Sequence, residues 1–121
     1  MNLADLISII DSGADSIVRD VVGERTEEYR TAESEAKSYK SGGYSGTAPS
    51  SVKSWADAKG WTGEKAADDI LATAGQWRAA SAAIRAARLK HKERARNGED
   101  LVAVLASWLT FTKALRTNLG V

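Results

Sequence analysis

Apolar side chains recur at steps of three and four residues along most of this chain, and this spacing constrains the fold more than any other feature. Side chains at such steps share one face of an α-helix. Pro49 is the one proline and alanine is abundant, so little in the sequence interrupts a helix. The pattern predicts an all-α protein. The clearest run is Leu3, Leu6, Ile7, Ile10, Ala14, Ile17, Val18 and Val21.

The first helix is predicted to be long. Its apolar face continues more thinly through Tyr29, Ala36 and Tyr39, which indicates one helix over about residues 3–39. Each glycine costs a helix about 1 kcal/mol relative to alanine, and we expect a kink or break near Gly13. The second half is polar, so it is expected to contact something besides the chain's own core.

The remaining helices are delimited by loop and capping residues. Three glycines and a proline make residues 41–49 a flexible Gly/Ser loop. A short helix, a long Ala-rich helix over about 63–96 and a C-terminal helix follow. The residues expected at their ends are Ser50 or Ser51, Gly60, Thr62, Asn97-Gly98, Glu99 or Asp100, Asn118 and Gly120.

The Ala-rich helix carries a seam spaced by seven residues, formed by Ile70, Trp77, Ile84 and His91. Alanines beside this seam allow another helix to approach closely. The C-terminal helix has its own apolar face, which includes Trp108, and both tryptophans are predicted to be core. The sequence therefore predicts one helical domain, residues 1–121, whose four helices pack antiparallel.

Residues that could support catalysis are sparse. The chain has no cysteine, and His91 is its single histidine, without an obvious carboxylate to orient it. One histidine cannot build a multi-histidine zinc site. The segment SGGYSG lacks the Gly-Lys-Ser/Thr ending of a phosphate-binding loop, and Tyr44 in its middle is expected to hold the loop to a surface. We expect no catalytic, cofactor-binding or metal site, and hence no enzyme.

Neither a membrane span nor a signal peptide is expected. No segment reaches the roughly 18 consecutive apolar residues of a membrane helix. The first ten residues, MNLADLISII, contain Asp5 and no basic side chain, unlike a secretory signal.

Charge is distributed unevenly. Residues 1–40 hold nine acidic and five basic side chains, whereas residues 85–96 hold six basic and one acidic. Arg85, Arg88, Lys92 and Arg96 share one helix face, called here the basic strip. Such a strip could follow phosphates, which makes a nucleic-acid-binding or regulatory protein the alternative function. No aromatic residue interleaves it, so base stacking is not supported, and we favour a solvated face or a docking strip for a partner. The acidic first helix could offset this strip, within the molecule or between subunits.

Aromatic residues provide the other candidates for binding. Trp55 and Trp61 flank Gly60 in the middle of the chain, either as a small core under the loop or as anchors for a partner. The candidate partner-binding residues are Tyr29, Tyr39, Trp55, Trp61, Arg85, Arg88, Lys92 and Arg96.

Three segments resemble a group of small proteins encoded beside the tail-fibre genes of tailed bacteriophages. The segments are ERTEEYRTAESEAKSY (24–39), WADAKGWTGEKAADDILATAGQW (55–77) and ASAAIRAARLKHKERA (80–95). The shared features are Glu24-Arg25, Tyr29, Glu35-Ala36, Tyr39, Lys59-Gly60 and the Arg-rich run from Arg85 to Arg96.

The resemblance implies a non-enzymatic tail or tail-fibre-associated protein, which acts as a structural part or as an assembly chaperone. Its expected partners are copies of itself, a tail-fibre protein or a baseplate protein, so it would work as an oligomer or within a larger assembly. Its expected location is the virion tail, or the host cytoplasm during assembly.

Overall fold

Five α-helices and no strand make up the protein, and this confirms the all-α class. The computed structural model describes the whole chain, Met1–Val121. Helices α1, α2, α3 and α5 pack against the long helix α4. The helices are α1 (Leu3–Val21), α2 (Thr26–Ser41), α3 (Ser50–Lys59), α4 (Gly63–Arg96) and α5 (Leu101–Leu119).

The helices form two compact units. The first unit contains Met1–Gly23 and Ala79–Val121, and the second contains Glu24–Arg78. The two units share helix α4. Its N-terminal half belongs to the second unit and its C-terminal half to the first.

In the first unit, α1, α5 and the second half of α4 enclose an apolar core. An ion pair between Asp11 and Lys92 joins α1 to α4, and Arg116 of α5 binds Asp20 of α1. Asp11 pairs with Lys92, whereas Val18, farther along α1, lies at the same groove as Ile84, which precedes Lys92, so α1 runs antiparallel to α4. The buried residues are Leu6, Ile10, Ala14, Ile17, Val22, Ala80, Ile84, His91, Ala95, Val104 and Trp108.

The N-terminal stretch differs from the sequence prediction, because it forms two helices instead of one. Helix α1 ends at Val21, and Gly23 takes the left-handed conformation (φ 59°) before α2 begins. Gly13 lies inside α1 without a break. A Cβ atom at Gly13 would lie 2.9 Å from Nε1 of Trp108, so this glycine makes room for a close approach of α5.

The second unit has a core of small side chains. Its buried members come from α2, α3 and the first half of α4: Ala36, Val52, Ala56, Ala66 and Ala67. Such residues let helix backbones approach closely, as the alanine content of α4 predicts.

The caps confirm most of the predicted helix ends. Gly60 ends α3 in the left-handed conformation, and the Thr62 hydroxyl accepts a hydrogen bond from the Lys65 amide. The Asp100 carboxylate accepts one from the Ala103 amide at the start of α5.

The serine cap predicted for α3 is wrong. Neither serine caps the helix with its side chain, and Pro49 occupies the capping position. The Ser51 amide instead donates to the Glu35 carboxylate of α2, at 2.9 Å. A carboxylate on a neighbouring helix therefore satisfies an amide in the first turn of α3.

The seam of α4 is fully buried only in its second half. Ile84 and His91 are buried, whereas Ile70 and Trp77 are half-buried. Trp108 lies in the core as predicted, at 1% exposure. Trp77, also predicted to be core, is only half-buried.

Candidate partner-binding surfaces

Two tryptophans meet at the turn between α3 and α4. Gly60 reverses the chain after α3, and the Trp61 amide then donates to the Ala56 carbonyl at 2.9 Å. This turn brings the Trp61 ring against Trp55, with ring centroids 6.4 Å apart and planes at 88°. The arrangement is the edge-to-face geometry that aromatic pairs prefer.

Charged side chains surround this pair. The Trp55 indole N–H donates to Asp69 of α4 at 2.8 Å. The Lys59 ammonium lies 5.0 Å from the Trp55 ring centroid and 5.6 Å from that of Trp61, and Lys65 lies 4.6 Å from the Trp61 centroid. These distances allow cation–π attraction. The five residues, Trp55, Lys59, Trp61, Lys65 and Asp69, are called here the tryptophan surface.

The two tryptophans differ in burial. Trp61 is half-buried and packs against the alanine core of the second unit. Trp55 is 36% exposed, although its indole N–H is satisfied. Trp61 therefore takes the core role that the sequence left open, whereas Trp55 stays accessible at the surface.

The Gly/Ser loop is held to α4 by a tyrosine. Tyr44 takes a left-handed conformation (φ 58°), which is uncommon for a residue with a side chain. Its hydroxyl donates to the Asp68 carboxylate at 2.5 Å, and its ring packs edge-to-face on Tyr39 at 5.6 Å. Tyr44 thus holds the loop to a surface as predicted, and Tyr39 is half-buried beneath it.

The hydrogen bond to Asp68 raises the pKa of Tyr44 to about 12, from an ordinary value of 10.0, because the carboxylate accepts from the neutral phenol. A raised pKa means that this contact stabilises the fold fully below pH 10.0 and is lost as the pH rises through about 12. We expect the phenolate absorbance step near pH 12 in an alkaline titration to disappear in Tyr44→Phe and to move to lower pH in Asp68→Asn. Tyr29→Phe is the control, and loss of the same step in that variant would contradict the assignment.

Tyr29 lies apart from these contacts. It is 46% exposed on α2, and Arg25 lies over its ring, 5.9 Å from the centroid. The Arg25 guanidinium also donates to the Tyr29 hydroxyl at 3.2 Å. The structure brings Trp55 and Trp61 together and places Tyr39 under the loop, but it does not add Tyr29 to either group.

The basic strip belongs to the first unit, and part of its charge is neutralised there. Lys92 binds Asp11 of α1 at 2.9 Å, and its side chain is only 16% exposed. Arg96 lies 3.7 Å from Glu93 on its own helix. Asp11 of the first helix therefore offsets one member of the basic strip, Lys92, within the molecule.

Arg85 and Arg88 line a shallow groove of about 150 Å³ between α1 and α4, together with Asp15. The Arg88 Nε is buried without a hydrogen-bond partner, while Arg85 is exposed. Two members of the strip thus lie at this groove. Because Lys92 is paired with Asp11, the four side chains do not form one continuous row of unpaired cations for phosphates.

His91 is a core residue. Its Nδ1 lies 2.6 Å from the Ala87 carbonyl oxygen, its Nε2 lies 2.9 Å from the Ser107 hydroxyl, and its ring packs against Trp108 at 5.5 Å. Both ring nitrogens have partners within the fold. No group of three or more acidic, histidine or cysteine side chains is placed to hold a metal ion.

Two of the contacts that sequence reasoning missed join residues that are distant in the chain. Asp69 and Asp11 are both paired with side chains on other helices, and nothing in their local sequence marks this. Lys59 and Lys65 each follow a tryptophan by four residues, the helical spacing for stacking a cation on a ring. That repeated spacing could have indicated the tryptophan surface.

No protein-family model, curated protein sequence or solved structure matches the chain. None of the five helices is long and apolar enough to cross a membrane.

Proposed function

We propose that this chain is a non-enzymatic structural or assembly protein of a bacteriophage tail, which binds protein partners through its helices. The partners are copies of itself, a tail-fibre or baseplate protein, or both. It acts in the virion tail, or in the host cytoplasm during assembly. The resemblance of residues 24–39, 55–77 and 80–95 to tail-fibre-associated proteins supports this proposal, and the all-α fold agrees with it.

The tryptophan surface carries the protein-binding part of the proposal. Tryptophans are strongly enriched among residues that dominate interface energies. Trp55 is held in place by Trp61 and Asp69, so little side-chain freedom would be lost on binding. The ammonium groups of Lys59 and Lys65 lie over the Trp55 and Trp61 rings and add positive charge to this surface. That charge favours a partner surface rich in acidic or carbonyl groups.

The basic strip supports the alternative less well. A phosphate-tracking surface needs several free cations, but Lys92 is paired with Asp11 and Arg96 lies near Glu93, which leaves Arg85 and Arg88 as the strip members without an ion pair. We expect weak, nonspecific binding to duplex DNA at physiological salt. A tight complex with a clear sequence preference would favour the nucleic-acid-binding or regulatory alternative and contradict the proposal.

The test is a binding titration against the purified tail-fibre and baseplate proteins of the phage that encodes the chain. We expect one of them to bind, and Trp55→Ala to weaken that binding by about 2 kcal/mol, the threshold for an interface hot spot. Lys37→Ala is the control, since Lys37 is exposed on α2 and makes no ion pair closer than 4 Å. Binding that is unaffected by Trp55→Ala would exclude the tryptophan surface, and absence of any binding would contradict the function.

A further inference from the structure

The outward face of α5 carries an apolar stripe that the first unit does not use. Val102 is 66% exposed and Leu109 is 52% exposed. Ala106 lies between them and is exposed as well. The three residues follow one another at steps of four and three, so they lie on one line along the helix. They are called here the α5 stripe.

The stripe is separate from the buried face of the same helix. Val104 and Trp108, which fill the core, are 0% and 1% exposed. At 100° per residue, both lie on the opposite side of α5 from Ala106. The exposed apolar side chains therefore do not result from poor packing of the core, and this face is free to contact another molecule.

Charge is absent from the stripe and present at its two ends. No charged residue lies between Asp100 and Lys113, in a chain of which 27% is charged. Asp100 caps α5, and neither Asp100 nor Lys113 takes part in an intramolecular ion pair. The acidic end and the basic end are nearly equidistant from Ala106 along the helix.

We propose that the α5 stripe is a contact between two copies of this chain, in which the two α5 helices pack antiparallel about a two-fold axis near Ala106. This arrangement places Val102 of one copy beside Leu109 of the other. It also sets Lys113 of each copy against Asp100 of its partner. A parallel pairing would instead bring like charges together at both ends.

The small side chain at the centre suits this geometry. Ala106 lets the two backbones approach closely, while the larger side chains on either side supply apolar contact. One helix pair buries less than the roughly 800 Å² per partner of a typical specific interface. We therefore expect a dimer that dissociates at micromolar concentrations. This pairing rests on the self-association named in the proposed function but needs no tail-fibre or baseplate protein, so loss of the dimer would leave binding to those proteins untouched.

Light scattering of the full chain across a concentration series tests the dimer. We expect the average mass to rise from monomer to dimer. Leu109→Glu should raise the dissociation constant about tenfold or more, because it buries unpaired charge in both copies. Leu89→Glu is the matched control, since Leu89 is 46% exposed on α4 of the same unit. Circular dichroism confirms that each variant is helical.

Charge exchange tests the antiparallel orientation. Lys113→Glu alone and Asp100→Lys alone should each weaken the dimer, because each places like charges at both ends of the contact; Asp100→Lys also removes the α5 cap, so Lys113→Glu is the cleaner of the two. A mixture of the two variants restores opposite charges at both ends, so it should associate more tightly than either variant alone. A wild-type monomer at every concentration, a dimer that survives Leu109→Glu, a dimer lost in Leu89→Glu, or no recovery in the mixture would each overturn the proposal.

Discussion

Trp108→Ala is expected to destabilise the protein by about 3–5 kcal/mol, the usual range for truncating a large buried aromatic residue. Trp108 is 1% exposed, packs against His91 at 5.5 Å and Phe111 at 5.6 Å, and fills the space that Gly13 leaves on α1. One side chain thus joins all three helices of the first unit. The loss is comparable to the whole stability of many small domains.

Urea unfolding followed by circular dichroism measures this effect. Thr110→Ala is the control, because Thr110 is exposed on the same helix and its loss should change stability by less than about 0.5 kcal/mol. If the two variants had equal midpoints, Trp108 would not be the centre of this core.

Ala67→Leu should destabilise the protein by about 1–3 kcal/mol, because extra methylene groups do not fit a filled core. Ala67 is 0% exposed and lies among Ala36, Val52 and Ala66 in the second unit. The larger side chain would push α2 or α3 away from α4.

The same substitution at Ala72 is a matched control, since Ala72 lies on the same helix and is exposed. Leucine and alanine have similar helix propensities, so Ala72→Leu should be nearly neutral. Thermal unfolding of both variants makes the comparison. An Ala67→Leu variant as stable as Ala72→Leu would show that close packing of small residues does not define this core.

The helix ends could be predicted from sequence because capping is local. Gly60, Thr62 and Asp100 act within a few residues of themselves, and each takes its predicted role. The break after α1 could not be located in this way. Gly13 and Gly23 have the same intrinsic helix propensity, but Gly13 stays within α1 and lies against Trp108, far away in sequence, whereas Gly23 takes the left-handed conformation.

The candidate site could be predicted only in part. The tryptophans on either side of Gly60 indicated a small core or a binding site. The sequence did not show that Trp61 would pack against the core while Trp55 stays exposed. The basic strip was visible as a charge run. Its partner Asp11 lies 81 residues from Lys92, so its neutralisation depends on how α1 packs against α4.

Sedimentation velocity of the full chain, mixed with purified tail-fibre and baseplate proteins at micromolar concentrations, tests the central proposal of helix-mediated protein binding most directly. We predict a faster-sedimenting complex with at least one of these proteins, and no comparable complex with duplex DNA at physiological salt. A chain that sediments as if alone in every protein mixture, while it binds DNA tightly, would contradict this account.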